Sequence, residues 1–402
     1  MRRLTLLVAV CGRLSSCSYR FRLAVVMLLV VVPAAFAGLA SSRASGPVAA
    51  RAAAPLPVAG TWQRLSPAPI LPSTIVSVWT GGKVLIFGRA QPDPPWSVNV
   101  AAAYDPGRDT WQLLEPPPGL EGNYEGRYWA VWTGKEMLVT GPATHEAFNP
   151  VTNKWRRPLK SIVPDGIVVW TGRELIGWGG GCCGDASSDG AAYNPASNTR
   201  RRLARSPLAP EQRPIGAWTG RELVVFVSGI NPADGKPWPA GLARAAAYNP
   251  ATNSWRRIAT LPEPGGAATW DGHEILVVGG GAHGCSVNAY APTTNRWHRL
   301  ASMPSQRSQA ATVWTGKGLL IWGGRTSRDD GALAVARRGL AFDPKVNRWS
   351  ALPWAPLLGR LDPTAVWTGH AMIVWGGNRP NVPVNTGQRV SADGASFRPA
   401  TP

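Results

Sequence analysis

One phrase, an apolar strand closing on Trp-Thr-Gly or Trp-Asp-Gly, recurs seven times along this chain, at Trp79, Trp132, Trp170, Trp218, Trp270, Trp314 and Trp367. The mean spacing is about 48 residues, a period that belongs to repeat architectures in which no unit buries its apolar face alone. A second apolar strand follows each copy, as in Val84-Leu85-Ile86-Phe87-Gly88 and Leu319-Leu320-Ile321-Trp322-Gly323. Glycine after the threonine tolerates the positive φ of a tight hairpin, so these two strands are expected to turn back antiparallel. Further on comes another phrase, clearest as Tyr248-Asn249-Pro250-Ala251-Thr252-Asn253-Ser254-Trp255. Proline sets φ at the turn and the last asparagine accepts a left-handed conformation, which makes a second hairpin.

An aromatic pair seven residues apart marks that second hairpin: Tyr104 and Trp111, Phe148 and Trp155, Tyr248 and Trp255, Tyr290 and Trp297, Phe342 and Trp349. The third copy has Tyr193 but puts Arg200 in the tryptophan slot, so its outer packing is expected to be the weakest. Four antiparallel strands per repeat amount to one propeller blade. The order of the phrases resembles the kelch repeat, in which a strand, a glycine turn and a strand ending in Gly-Gly precede Tyr-Asp-Pro-x-Thr-x-x-Trp. Ala310 to Gly324 followed by Ala341-Phe342-Asp343-Pro344-Lys345-Val346-Asn347-Arg348-Trp349 matches it closely. The resemblance spans residues 60 to about 398 and implies an all-β, seven-bladed, kelch-like β-propeller of four-stranded antiparallel blades, of the galactose oxidase central-domain-like kind.

Ring closure is expected from the N-terminal strand around Trp62, which precedes Trp79 by the same interval as Trp297 precedes Trp314. That strand would complete the seventh blade, whose third strand reads poorly, around Val390. Phe397, seven residues beyond Val390, competes for the outer slot.

Residues 1–37 read as an export signal: Arg20 and Arg22, an apolar run from Leu23 to Val32, and a small-x-small site at Ala35-Phe36-Ala37. An uncleaved membrane anchor is the alternative, and it would be the chain's only membrane contact. Residues 38–58 form an Ala-, Ser- and Pro-rich lead-in, and the propeller occupies 59–402. The protein is therefore expected to be secreted or extracytoplasmic, and monomeric. Beyond the signal lie Cys182, Cys183 and Cys285, in a compartment where disulfides persist. Either Cys285 pairs with one of the adjacent two, or those two close a strained ring.

A residue repeated at one slot in many blades belongs to the scaffold, and a site needs residues that break the repeat. Glu136, Glu174, Glu222 and Glu274 all open second strands and are assigned to the scaffold. The pairs Arg156-Arg157, Arg201-Arg202 and Arg256-Arg257 are read as charge that protects an exposed sheet edge. Near the starts of four inner strands stand Arg127, Arg213, Arg307 and Arg360, with Tyr128 beside the first and Asp362 near the last. Inner strands line the central funnel, so these side chains are expected to converge and hold a carboxylate or other anion.

The function expected on this reading is a binding or scaffold module for a protein or glycan, with an anionic ligand among the candidates, at the cell surface. The ligand face would be built from the loops joining second to third strands and from the blade-to-blade loops. The alternative is a metal-independent epimerase, mutarotase or lyase acting on an anionic sugar, as resemblance to sialic acid epimerases implies, with Tyr128, Glu125 and His283 as candidate acid and base. A radical-copper oxidase needs two His, two Tyr and a Tyr-linked Cys, and this chain does not offer that set out of register with its repeat. No cofactor or metal is expected, since no zinc-ligand spacing is present. A formal charge of +19 does not by itself argue for nucleic acid, because no recognition helix accompanies it.

Overall fold

The computed structural model describes residues 58–72, 74–93, 96–117, 127–141, 144–158, 162–182, 184–263, 265–280, 284–327, 333–379 and 390–400. The expected export signal and all of the lead-in except Val58 lie outside them. The described residues form strands and turns, without a helix. They make seven sheets of four antiparallel strands, arranged as a seven-bladed β-propeller. Blade 4 is typical, with strands Ile215–Trp218, Leu223–Phe226, Ala245–Asn249 and Ser254–Arg257 paired in chain order. The innermost strands of blades 1 to 3 are Thr74–Trp79, Trp129–Trp132 and Ile167–Trp170. Those of blades 5 to 7 are Ala267–Trp270, Ala311–Trp314 and Thr364–Trp367.

The first hairpin is held by the threonine as well as the glycine. Gly220 sits at φ 88°, while the Thr219 hydroxyl accepts from Glu222 N at 3.0 Å and donates to Glu222 O at 3.1 Å. The Asp271 carboxylate accepts from Glu274 N at 2.6 Å, which explains why Trp-Asp-Gly can replace Trp-Thr-Gly. In the second hairpin Asn249 accepts from Ala251 N and Asn253 takes φ 49°.

Neighbouring blades are stapled by the residues of that second hairpin. Trp255 Nε1 donates to Ala204 O at 3.0 Å, and Asn253 Oδ1 accepts from Ala204 N at 3.0 Å, so both backbone groups of one connector residue are satisfied. The same double bond is made to Ser66 by Trp111 and Asp109, to Ala259 by Trp297 and Asn295, and to Ala301 by Trp349 and Asn347. In blade 3 Arg200 lacks the ring but keeps the bond, its Nε donating to Ile162 O at 3.1 Å.

Blade 7 closes the ring in the order Gly60–Leu65, Gly394–Pro399, Met372–Trp375, Thr364–Trp367. The N-terminal strand is thus its outer strand, and Trp62 Nε1 donates to Pro353 O at 3.0 Å, the same staple again. The third strand lies later than the sequence suggests. Val390 makes only an isolated bridge to Asn378, whereas Phe397 pairs with both Trp62 and Met372. Phe397 therefore occupies the third-strand aromatic slot and does not compete with Trp62. Their rings lie 5.1 Å apart, as do those of Tyr248 and Trp255. The core is a set of inter-blade clusters. Trp322 and Leu352 of blade 6 pack with Met372 and Phe397 of blade 7, and Ile373 and Trp375 of blade 7 pack with Ile86 and Tyr104 of blade 1.

Candidate functional site at the funnel mouth

Blade-to-blade connections enter the inner strands at one end of the ring, opposite the Trp-Thr-Gly hairpins. Counting back five residues from each turn tryptophan gives one slot per blade at that entrance: Thr74, Arg127, Asp165, Arg213, Gly265, Gln309 and Asp362. The slot two residues earlier holds Pro72, Glu125, Val163, Glu211, Glu263, Arg307 and Arg360. Neither slot is conserved from blade to blade, in contrast to the tryptophans and glycines that follow.

A cavity of about 530 Å³ opens at this end, with Arg127, Gln306, Arg307, Gln309 and Asp362 among its polar lining and Ile75, Met303 and Pro363 among its apolar lining. Blades 1, 5, 6 and 7 and the entrance to blade 2 all contribute, so it spans the funnel. Arg127 is exposed in the mouth. Surrounding protein and the like charge of Arg213 lower its pKa from the ordinary guanidinium value, and Asp362 opposes this. Arg127 is therefore within electrostatic reach of both Arg213 and Asp362. An exposed guanidinium so flanked stays charged.

Arg307 is half-buried. It donates to Ser305 Oγ at 2.8 Å, Gln306 O at 3.0 Å and Thr326 Oγ1 at 3.0 Å, all neutral acceptors. Its Nε has no hydrogen-bond partner among the described residues. Burial pushes its pKa down to about 10, with only the Cys285 thiol opposing. A buried cation lacking a carboxylate partner is costly, and an incoming anion would relieve it.

Gln309 and Asp362 carry the other irregularity. Among the described residues eight non-glycine residues have positive φ, and six of them are the Asn or Asp of the second hairpin. The remaining two are Gln309 at 57° and Asp362 at 50°, equivalent positions at the mouths of blades 6 and 7. They bond to each other, Asp362 N to Gln309 O at 2.9 Å and Gln309 Nε2 to Asp362 Oδ2 at 2.7 Å. Left-handed backbone outside the structural turns is strain held by its surroundings. The Asp362 carboxyl is raised by burial, with Gln309, Arg127 and Arg325 drawing it back.

Two of the expected residues do not face the funnel. Arg360 is fully buried and is consumed by Asp393, bonding its carboxylate at 2.6 Å and its carbonyl at 2.7 Å, and by Gly376 O. Tyr128 is buried against Phe87, and its hydroxyl accepts from Arg89 at 3.1 Å. Glu125 and His283 lie outside the described residues, as does Cys183. Cys182 is exposed, and Cys285 is half-buried, its thiol pKa raised by burial.

The scaffold glutamates have specific partners. Glu136, Glu174 and Glu222 each take a bidentate arginine from the outer strand of their own blade, Arg156, Arg201 and Arg256, with shorter contacts of 2.6–2.7 Å. Glu274 meets His298 at 3.5 Å in the same place. The first arginine of each pair is therefore a clamp across the blade as well as edge charge. Among the described residues no group of three or more His, Cys, Asp or Glu side chains is arranged to hold a metal ion. No family model matches the sequence, and a comparison with curated proteins finds no match.

Proposed function

We propose that this chain is an exported, kelch-like propeller that binds an anionic ligand, carried on a glycan or a protein at the cell surface, in the mouth of its funnel. The order of the repeat phrases supports the kelch resemblance, and the N-terminal apolar segment supports export. The observation that carries the ligand reading is the half-buried Arg307 guanidinium, without a carboxylate partner among the described residues, on the same cavity as Arg127, which itself feels the charge of Arg213. Gln309 and Asp362 add a neutral donor and an acceptor, so the site distinguishes an acidic sugar with hydroxyls from a bare anion. Function does not follow from fold, and the proposal rests on these side chains.

Calorimetric titration with sialic acid, galacturonate and neutral galactose tests it. The acidic sugars should bind and galactose should not. Arg127→Ala and Arg213→Ala, both at exposed positions, should each weaken binding about tenfold, the scale of one charge-assisted contact. Equal binding of galactose, or indifference to both substitutions, removes the proposal. Conversion of either acidic sugar, followed by NMR, would instead favour the epimerase or lyase reading.

A further inference from the structure

The opposite face of the ring carries a second cavity, and the repeat explains how it arises. In blades 2 to 5 a clamp crosses the third strand: Glu136–Arg156, Glu174–Arg201, Glu222–Arg256 and Glu274–His298. Beneath each clamp lies an alanine, Ala147, Ala192, Ala247 or Ala289, the cross-strand neighbour of the clamp's basic residue and at most 1% exposed. Blade 6 has lost both halves. Gly318 stands in the glutamate slot and Ser350 in the arginine slot, and Ala341 beneath them is only partly covered. The loss is built into the backbone, because a Cβ on Gly318 would lie 2.6 Å from Phe342 O.

The space left uncovered joins the cleft between blades 6 and 7 into a cavity of about 780 Å³. The equivalent cleft between blades 2 and 3, where Glu136 still stands in the lining, holds about 540 Å³. The floor of the larger cavity, between blades 6 and 7, is Leu320, Ala341, Phe342 and Trp367. Its rim carries Lys317, Arg348, Arg398 and His370 against a single carboxylate, Asp343. Lys317, Arg348, Arg398 and His370 are all exposed, and none makes an ion pair among the described residues. The volume is within the range of small-molecule sites, an apolar floor with a few polar groups at the edge.

We propose that this cleft is a second ligand site, separate from the funnel, that takes a carboxylate borne on an apolar body. The hydrocarbon covers Ala341 and Leu320, and the carboxylate supplies to Arg348 and Arg398 the negative charge that a glutamate supplies in blades 2 to 5. Being on the other face, the site stands or falls independently of the funnel reading.

The full chain is titrated with 2-naphthoate and with its uncharged amide, and saturable binding is followed by ligand-observed NMR. Naphthoate should bind at least tenfold more tightly than the amide. Ser350→Arg lays a guanidinium beside Ala341, as Arg156 lies beside Ala147, and should abolish naphthoate binding even though it adds positive charge. General adhesion to a basic surface would instead be strengthened by that change. The paired reversal Arg348→Glu with Arg398→Glu, at exposed positions that leave the core untouched, should weaken naphthoate at least tenfold. Circular dichroism and the unfolding temperature confirm that each variant is folded. Absence of saturable binding, equal binding of the amide, or naphthoate binding that survives either variant overturns the proposal.

Discussion

At the scale of single residues, Glu146 is the side chain most at odds with its surroundings. Two residues before the third-strand aromatic, blades 1, 3, 4 and 7 have Ala102, Ala191, Ala246 and Ala395, all fully buried. Blade 2 has Glu146, 1% exposed, with Oε2 unbonded among the described residues and Oε1 3.4 Å from the exposed Arg157. Burial pushes its pKa up to about 7, with Arg157 opposing. A carboxyl raised in the folded state binds more protons folded than unfolded between its two pKa values. Stability should therefore fall as pH rises from about 4.5 to 7 and stay level above that, by about 3 kcal/mol from this group. Glu146→Ala, which copies the arrangement of Ala191 beside Arg202 and Ala246 beside Arg257, should remove that slope. We expect the variant to melt a few degrees above the parent at pH 8, with the gap closing towards pH 5. Parallel melting curves across that range would show that Glu146 stays charged and compensated.

At the scale of the strand and hairpin, what was legible in the sequence is what is settled locally. The Trp-Thr-Gly and Asn-Pro-x-x-Asn phrases specify turns through φ preferences and short-range capping, so Gly220, Asn249 and Asn253 behave as their residue types require. The staple between blades was not legible, because its acceptor is a backbone carbonyl. Ser66, Glu115, Ala204, Ala259, Ala301 and Pro353 all serve, and their side chains share nothing. The last third strand was misplaced for a related reason. Its phrase lacks the hairpin signal, since its partner strand lies at the other end of the chain. The staple also shows why Arg200 is tolerated in blade 3, where it retains the bond to Ile162 O but forgoes the aromatic contact. Elsewhere that contact brings Tyr or Phe and Trp rings to 4.9–5.2 Å. Arg200→Trp should restore it against Tyr193 and add about 1 kcal/mol, read as a higher urea midpoint at unchanged slope. A lower midpoint would mean that blade 3 has adapted its outer face to the guanidinium.

At the scale of the whole molecule, the funnel arginines illustrate what a repeat can and cannot locate. Proximity to an inner strand brought Arg127, Arg213, Arg307 and Arg360 together as one group. They occupy two slots, however, and the slot alone does not decide burial: Arg307 lines the cavity, while Arg360, at the equivalent position one blade on, is fully buried against Asp393. The ring itself depends on a contact between the chain's two extremes. Trp62 bonds Pro353 O across the seam and packs its ring 5.1 Å from Phe397 and 6.2 Å from Trp322. Trp297 makes the equivalent bond to Ala259 O inside the ring, where its strand is covalently continuous with its own blade. Replacing either with alanine should cost about 3–5 kcal/mol, so total stability alone would not separate their roles. The distribution of the damage should. After Trp297→Ala, faster hydrogen exchange should stay within blades 4 and 5, because the seam is intact. After Trp62→Ala, the strand Gly60–Leu65 loses its anchor to blade 6. Exchange should then accelerate in Gly394–Pro399 and in the two inner strands that meet at the seam, Thr364–Trp367 and Thr74–Trp79, where Thr364 and Ser77 share a hydrogen bond at 2.5 Å. Exchange that rises in Gly60–Leu65 alone would mean the remaining seam contacts hold the ring shut, and that the N-terminal strand covers blade 7 without closing the circle.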